Sequence, residues 1–362
     1  MTSTPSPPPI RILLVGLAYD PADPSSIGGI ATLAHYLLLD LRSRPGVRVF
    51  AADLSASRCK GARLLVRCLR DFLLVLWRAR QCDVLTLHVG PTSLHLSGPA
   101  MVLIGRLLRK PVIIRQSAGN HYREFAGWRG RMIEWAARRA AVYLVETRRI
   151  LDLARADGLA QVRWFPNYRP PAPRTPGGRA PRARRFVFVS RVTPTKGVAE
   201  LIEASEGLPA DASVHFYGPF EEGLGEALFA GRSRASYHGC IPPGEVLRRL
   251  ADYDVLVLPT YYPMEGYPGI LMEAFSVGLP VICTRWMCLE EVANDSCAIL
   301  IPPRDPAALR QAMLRLADDP ELYTRLCQGA SRRAGDFSSS LWAETFLEYC
   351  RAVSAPKPWT LP

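Results

Sequence analysis

At 362 residues, with 48% hydrophobic and 22% charged residues, the chain can fill two domains of about 170 residues each and is too apolar for a disordered one. Its formal net charge of +12 is uneven: residues 1–180 hold 27 Lys and Arg against 11 Asp and Glu, so the remainder is acidic. That asymmetry suits an anionic surface. However, zinc-finger spacing, a helix-turn-helix signature and the aromatic and basic interleaving of RNA-binding modules are all missing, so nucleic acid is not an expected partner and anionic lipid is.

The Pro-rich start, MTSTPSPPPI, lacks the basic and apolar regions of a signal peptide, and no apolar run reaches the roughly 18 residues needed to span a bilayer. The expected location is the cytoplasm, with any membrane association peripheral, on the inner face. None of the nine cysteines forms a CxxC pair, the nearest being Cys283 and Cys288, so neither a disulfide framework nor structural zinc is expected.

In chain order, IRILLVGLAY from Ile10 reads as a buried parallel strand of the kind that opens a Rossmann-like domain. A loop, DPADPSSIGG, leads to a helical pattern from Ile30 to Leu41, and Val47 to Leu54 reads as a second strand. The pair Gly28-Gly29 is by itself as compatible with a tight turn as with a ligand loop. In ARLLVRCLRDFLLVLWRAR, Leu64, Leu65, Cys68, Leu69, Phe72, Leu73, Leu76 and Trp77 fall at helical spacing, ringed by Arg63, Arg67, Arg70, Arg78 and Arg80. Two readings stay open. The segment is a helix lying on an anionic membrane or, the favoured reading for the apolar face, a core helix with a solvated basic side.

The strand DVLTLHV carries a lone His88, either a ligand contact or a hydrogen-bonded core residue. A helix about Leu96 to Leu108 and a strand from Pro111 follow, then Ser117, Ala118, Gly119, Asn120 and His121. WRGRMIEWAARRAAVYLVET gives a helix and a strand, and its arginines, Arg129, Arg131, Arg138 and Arg139, extend the positive surface. The strand VRWFPN closes a first domain, 1–168. The Pro, Gly and Arg of YRPPAPRTPGGRAPRARR place an interdomain linker at 169–184.

The second domain, 185–340, opens with a strand from Phe186 to Ser190, followed by Arg191 and Lys196, two cations fit to hold a phosphate. Val214 to Tyr217 is a strand ending at Gly218. Asp252-Tyr253-Asp254 matches the Asp-x-Asp string of metal-dependent transferases but sits at the start of a buried strand, so no metal is expected there. From Val255 to Thr284 the pattern is strand, loop, helix, strand, the parallel crossover of an α/β sheet, whose ligands lie beyond the strands' carboxyl ends. Gly266 and Gly269 let a ligand approach their backbone, Pro268 stiffens the turn, and the unpaired amides of the helix start favour a phosphate. Glu265 and Glu273 have seven residues between them. Eight helical steps span roughly 12 Å, too far for a paired-carboxylate mechanism, so the two do different jobs. Helices from Ala307 and Glu321 precede a last one, SLWAETFLEYCRAV, in 341–362.

The Glu, seven residues, Glu pattern, with FVFVSRVTPTKGVAELIEA and ASYHGCIPPGEVLRRLADYDVLVLPT before it, resembles glycosyltransferase family 4, strongly over residues 185–305 and weakly but collinearly elsewhere. The resemblance implies an α/β GT-B fold, two Rossmann-like domains facing a cleft with the C-terminal helix packed on the first. It also implies a retaining, metal-independent hexosyltransferase using a nucleoside-diphosphate sugar as donor and no cofactor. Under it Arg191 and Lys196 bind the diphosphate, Glu265 positions the donor sugar and Glu273 the ribose. Gly218 and the backbone of Cys240 and Ile241 meet the base; Gly266, Tyr267, Pro268, Gly269 and Ile270 form the diphosphate turn; and Gly28 and Gly29 face the cleft. The family's cleft histidine is replaced by Ser117 and its neighbours, so either His121 takes its part or Ser117 and Asn120 do. The implied acceptor is a lipid-linked glycan of exopolysaccharide, capsule or lipopolysaccharide synthesis at an anionic inner-membrane surface. A nucleotide-sugar epimerase of the same fold and a non-catalytic transferase partner remain as alternatives.

Overall fold

The computed structural model describes residues 9–16, 29–53, 62–172 and 182–355, with 62–69 and Pro243 described in backbone only. The chain divides into two units, Met1–Asn167 with Ser339–Pro362, and Tyr168–Ser338. Gly28 and the middle of the expected linker lie outside the described residues, as do the side chains of the first half of the arginine-rich helix.

The first unit runs β1 (Ile10–Gly16), α1 (Gly29–Arg42), β2 (Val47–Asp53), α2 (Ala62–Ala79), β3 (Val84–Val89), α3 (Pro91–Leu108), β4 (Val112–Gln116), α4 (Trp128–Ala137), β5 (Val142–Val145), α5 (Arg148–Ala156) and β6 (Val162–Trp164). Its parallel sheet has the order β2-β1-β3-β4-β5-β6. Every residue of β3, β4 and β5 is buried, as expected of parallel strands covered on both faces.

The second unit runs β7 (Arg185–Val189), α6 (Val198–Ser205), β8 (Ser213–Tyr217), β9 (Ala235–Tyr237), α7 (Val246–Ala251), β10 (Val255–Leu258), α8 (Gly269–Ser276), β11 (Val281–Thr284), α9 (Leu289–Val292), β12 (Ala298–Ile301), α10 (Pro306–Asp318) and α11 (Pro320–Asp336). Its sheet, also parallel, has the order β12-β11-β10-β7-β8-β9. The chain winds one way from β7 to β9 and the other from β10 to β12. The crossovers that follow β7 and β10 therefore run to opposite sides, which makes the carboxyl ends of these two neighbouring strands the topological switch point at which open α/β sheets bind ligands. Helix α12 (Ser339–Ser354) returns to the first unit, where Trp342 meets Trp164 and Phe165 edge-on at 5.0 and 5.5 Å.

Two expectations are refined. The described ends of the linker are packed rather than free: Arg169 donates its backbone N–H to Phe337 O at 3.0 Å, and Ala183 is fully buried. In α2 the favoured core reading of the apolar stripe does not hold: of its members with described side chains, Phe72, Leu73 and Trp77 are 43, 53 and 57% exposed and Leu76 is half-buried, while the core is met by Val75 and Ala79, which lie outside that stripe.

Candidate functional site

The loops leaving β7 and β10 meet. Tyr261 donates its backbone N–H to Thr195 O at 2.8 Å, which docks the turn carrying Lys196 against the start of the β10–α8 loop. Across that junction Lys196 Nζ lies 2.6 Å from Glu265 Oε2, with both side chains more than nine-tenths buried. Thr260 Oγ1 donates to the same oxygen at 2.6 Å. Glu265 Oε1 has no hydrogen-bond partner among the described residues. Arg191 and Lys196 both stand against the ring of Tyr262, at 5.3 and 5.1 Å from its centroid, which gathers the two cations the sequence singled out. Arg191 also reaches Glu221 at 2.9 Å, an exposed pair worth little on its own and easily exchanged for a phosphate.

Helix α8 begins at Gly269 behind Pro268, with no side chain capping it. Leu271 N donates to Pro268 O at 3.0 Å; the other amides of the first turn have no acceptor within the helix, so the positive end of its dipole is open to an anion. Tyr267 turns its side chain inward, 1% exposed and hydrogen-bonded to Glu291, so only its backbone can serve a ligand. Glu273, one turn into the helix, gives Oε1 to Arg169 Nε at 2.6 Å, and its Oε2 has no partner among the described residues.

Gly218 closes the other flank. At φ 138° it occupies backbone space that only glycine takes readily, and a Cβ there would lie 1.8 Å from Ser190 O, the residue before Arg191. Its N–H donates to Gly239 O at 2.9 Å, which brings in the segment with exposed Cys240 and half-buried Ile241. The structure thus joins Arg191, Lys196, Gly218, Glu265 and Glu273 around one switch point. Asp254 lies elsewhere, at the opposite end of β10, where it accepts from the Arg184 and Arg185 amides at 2.9 and 2.8 Å. Thr260, Tyr262 and Arg169 were not foreseen. Thr260 and Tyr262 had a signal in their nearness to Glu265; Arg169 had none, being 104 residues from Glu273.

In the first unit, His121 departs from the expectation of a ligand-facing ring. It is 2% exposed, its Nδ1 accepts from Arg123 N at 3.4 Å, and its Nε2 points at Asp157, 3.6 Å away. The ring caps a short turn at Tyr122–Glu124 in front of Asp157, which Tyr122 and Arg123 also bind. The neighbours offered in its place are better disposed. Ser117 Oγ and Asn120 Oδ1 are buried with no hydrogen-bond partner among the described residues, and Ala118 between them is held at φ 91°, a strained value for a residue with a Cβ. Gly29 begins α1.

His88 is a core residue: 1% exposed, 3.1 Å from Thr86 Oγ1, with its ring 5.5 Å from Phe346. Burial, with some help from Arg115, depresses its pKa to about 3. The unfolded chain binds a proton at His88 that the folded chain refuses, so this contribution is complete above about pH 6.5 and is lost as pH falls towards 3. At pH 5 it removes about 2 kcal/mol, so thermal melts are expected to drop between pH 7.5 and 5, and less so in a His88→Gln variant.

Residues 183–319 match the family model described as "Glycosyl transferases group 1". The putative teichuronic acid biosynthesis glycosyltransferase TuaC of Bacillus subtilis is 31% identical over 132 residues, 36% of this chain and 32% of that protein. The putative colanic acid biosynthesis glycosyltransferase WcaL of Escherichia coli is 30% identical over 170 residues, 43% of this chain and 42% of that protein. The matched stretch thus spans about a third to two-fifths of these relatives. Among solved structures, Anabaena HepE in complex with UDP superposes with a TM-score of 0.72 at 14% identity, over 94% of this chain and 99% of that one. Sucrose-phosphate synthase from Thermosynechococcus elongatus gives 0.72 at 18% identity, over 94% and 98%. Residues 183–319 are thus similar to the glycosyl transferases group 1 family, on a chain of the GT-B fold, two Rossmann-like α/β units.

Proposed function

We propose that the protein is a retaining glycosyltransferase that moves a sugar, a hexose or a relative, from a nucleoside diphosphate to an acceptor hydroxyl. The observation that carries this reading is the buried Lys196–Glu265 pair, 2.6 Å long, set beside the uncapped start of α8 at the switch point of the second sheet. The diphosphate lies on the first-turn amides of α8 and the amides of Gly266 and Tyr267, with Arg191 and Lys196 as counter-charges. Glu273 accepts from the ribose diol. Glu265 Oε1 accepts from a hydroxyl of the donor sugar, and the backbone at Cys240 and Ile241 meets the base. As the bond from the anomeric carbon to the phosphate oxygen breaks, the departing electron pair stays on the diphosphate, where the two cations and the amides hold it. The acceptor oxygen bonds to the anomeric carbon on the face just vacated, and its proton passes to the leaving phosphate oxygen.

Arg191 and Lys196 supply the positive charge that a divalent cation gives other transferases, so turnover is expected to survive EDTA. A radiolabelled or coupled assay that lost all activity on chelation would contradict this. The similarity to TuaC and WcaL, the putative teichuronic acid and putative colanic acid biosynthesis glycosyltransferases, supports a polysaccharide acceptor. HepE is known in complex with UDP-glucose, which puts UDP-sugars first among donors to try. Donors incubated without acceptor should give no isomer; appearance of one would favour the epimerase.

A lipid-linked acceptor at an anionic membrane has its support in the first unit. Leu96, Leu103 and Leu107 form one stripe on α3 and are 63, 57 and 72% exposed. Trp128 of α4 is 51% exposed beside them, its ring 5.1 Å from His95. Arg106, Arg109, Arg129 and Arg131 are exposed on the same two helices or at their ends, the pairing of apolar and cationic side chains that interfacial helices use. No helix among the described residues is long and apolar enough to cross a membrane. The chain should float with vesicles containing anionic lipid and stay behind with neutral ones, and Leu103→Glu with Leu107→Glu should abolish flotation. Equal recovery with both vesicle types, or none with either, would end the membrane reading and leave the donor chemistry standing.

A further inference from the structure

Arg169 is the least expected side chain near the α8 start. It follows the point where the chain enters the second unit, its backbone is bonded to Phe337, and its guanidinium is buried at 6% exposure. Nε gives a hydrogen bond of 2.6 Å to Glu273 Oε1, and Nη1 reaches back to Tyr168 O at 3.0 Å. Nη2 fills the space above Gly269: a Cβ on that residue would stand 1.6 Å from it, so glycine is required there by this arginine rather than by backbone conformation. A cation at the positive end of a helix dipole is unfavourable by itself. Its presence is accounted for by the carboxylate it holds.

We propose that Arg169 is a positioning residue for nucleotide recognition, fixing the Glu273 carboxylate by one oxygen so that the other faces the ribose diol. This rests on the donor site proposed above. Without Arg169 a glutamate near the start of a helix is free to rotate into solvent or fold towards the open amides, where it would compete with the diphosphate. With it, Glu273 has a single orientation and the first-turn amides stay open. The side chain acts through Glu273 and need not touch the nucleotide.

Calorimetric titration with UDP, GDP and ADP and with their 2′-deoxy forms tests the assignment. Wild type should prefer the ribose form of the diphosphate it binds; Arg169→Gln should lose that preference by about tenfold with little change for the deoxy form. Arg169→Lys, which can still reach the carboxylate with one donor, should recover part of it. The double variant with Glu273→Gln should bind no more weakly than Glu273→Gln alone. Equal weakening of ribose and deoxy forms, or no weakening, would overturn the role of Arg169 while leaving the donor site intact. Binding of none of the three diphosphates by wild type would instead bring down the transferase reading, and the ribose role with it. A readout independent of ligand is the melt of Gly269→Ala. It should be strongly lowered in the Arg169 background and tolerated with Arg169→Ala, and equal lowering in both would contradict the packing on which the proposal stands.

Discussion

Replacing Lys196 with alanine is expected to reduce turnover by at least about a hundredfold and stability by about 3–5 kcal/mol. The two losses have separate origins. Stability falls because the Glu265 carboxyl, 7% exposed, would lose its Lys196 partner and be left in the interior with the Thr260 hydroxyl. Turnover falls because the ammonium that answers charge growing on the diphosphate is gone, and a preorganised donor in a dry site is worth two to three powers of ten. A second substitution separates them: in Lys196→Ala with Glu265→Gln the unpaired carboxylate is gone, so urea midpoints should recover, while turnover should stay well below that of Glu265→Gln alone. Recovery of turnover along with stability would mean that the lysine only holds the fold.

Gly218→Ala is expected to lower stability by about 3 kcal/mol and to weaken nucleoside diphosphate binding at least tenfold. Positive φ costs an alanine on the order of 1–3 kcal/mol, and the methyl group must displace the Ser190 carbonyl, 1.8 Å from its ideal position. That carbonyl precedes Arg191, and the Gly218 N–H holds Gly239 and hence the Cys240–Ile241 edge, so a shift here moves the phosphate and base contacts together. Gly223→Ala is the control. Its φ is 76°, but nothing lies within 4 Å of the added methyl, so only the conformational cost of about 1 kcal/mol should appear, with binding unchanged. Equal effects at both positions would show that strain, and not the Ser190 contact, explains Gly218.

Much of this was legible in the sequence because it is local. The run from Val255 to Leu258, Pro259, the glycine-bearing loop and the apolar period from Ile270 declare strand, loop and helix within thirty residues, and each stands where the pattern put it. Glu265 and Lys196 could be named separately, but their 2.6 Å contact spans 69 residues and depends on β7 and β10 lying side by side. Arg169 shows the limit more sharply. In the sequence it is one arginine in a Pro- and Arg-rich stretch that reads as linker, and only its burial against Gly269 and Glu273 sets it apart. His88 and His121 illustrate a different limit. A lone histidine carries no periodicity, and the same residue type suits a core hydrogen bond or a ligand, so burial had to decide. In α2 the helix stands where the pattern put it, but the face turned to the core is that of Val75 and Ala79 and not the apolar stripe, since amphipathic spacing fixes which residues share a face but not which face the sheet covers.

The claim on which the rest depends is that a nucleoside diphosphate sits at the start of α8 facing Arg191 and Lys196. Thermal melts of the wild-type chain with a panel of UDP-, GDP- and ADP-sugars, repeated with Arg191→Ala, measure it directly. At 100 times its dissociation constant one donor class should stabilise the wild type by about 2.7 kcal/mol, and the shift should shrink sharply in the variant. No shift with any donor, or a shift that Arg191→Ala leaves unchanged, would contradict the placement.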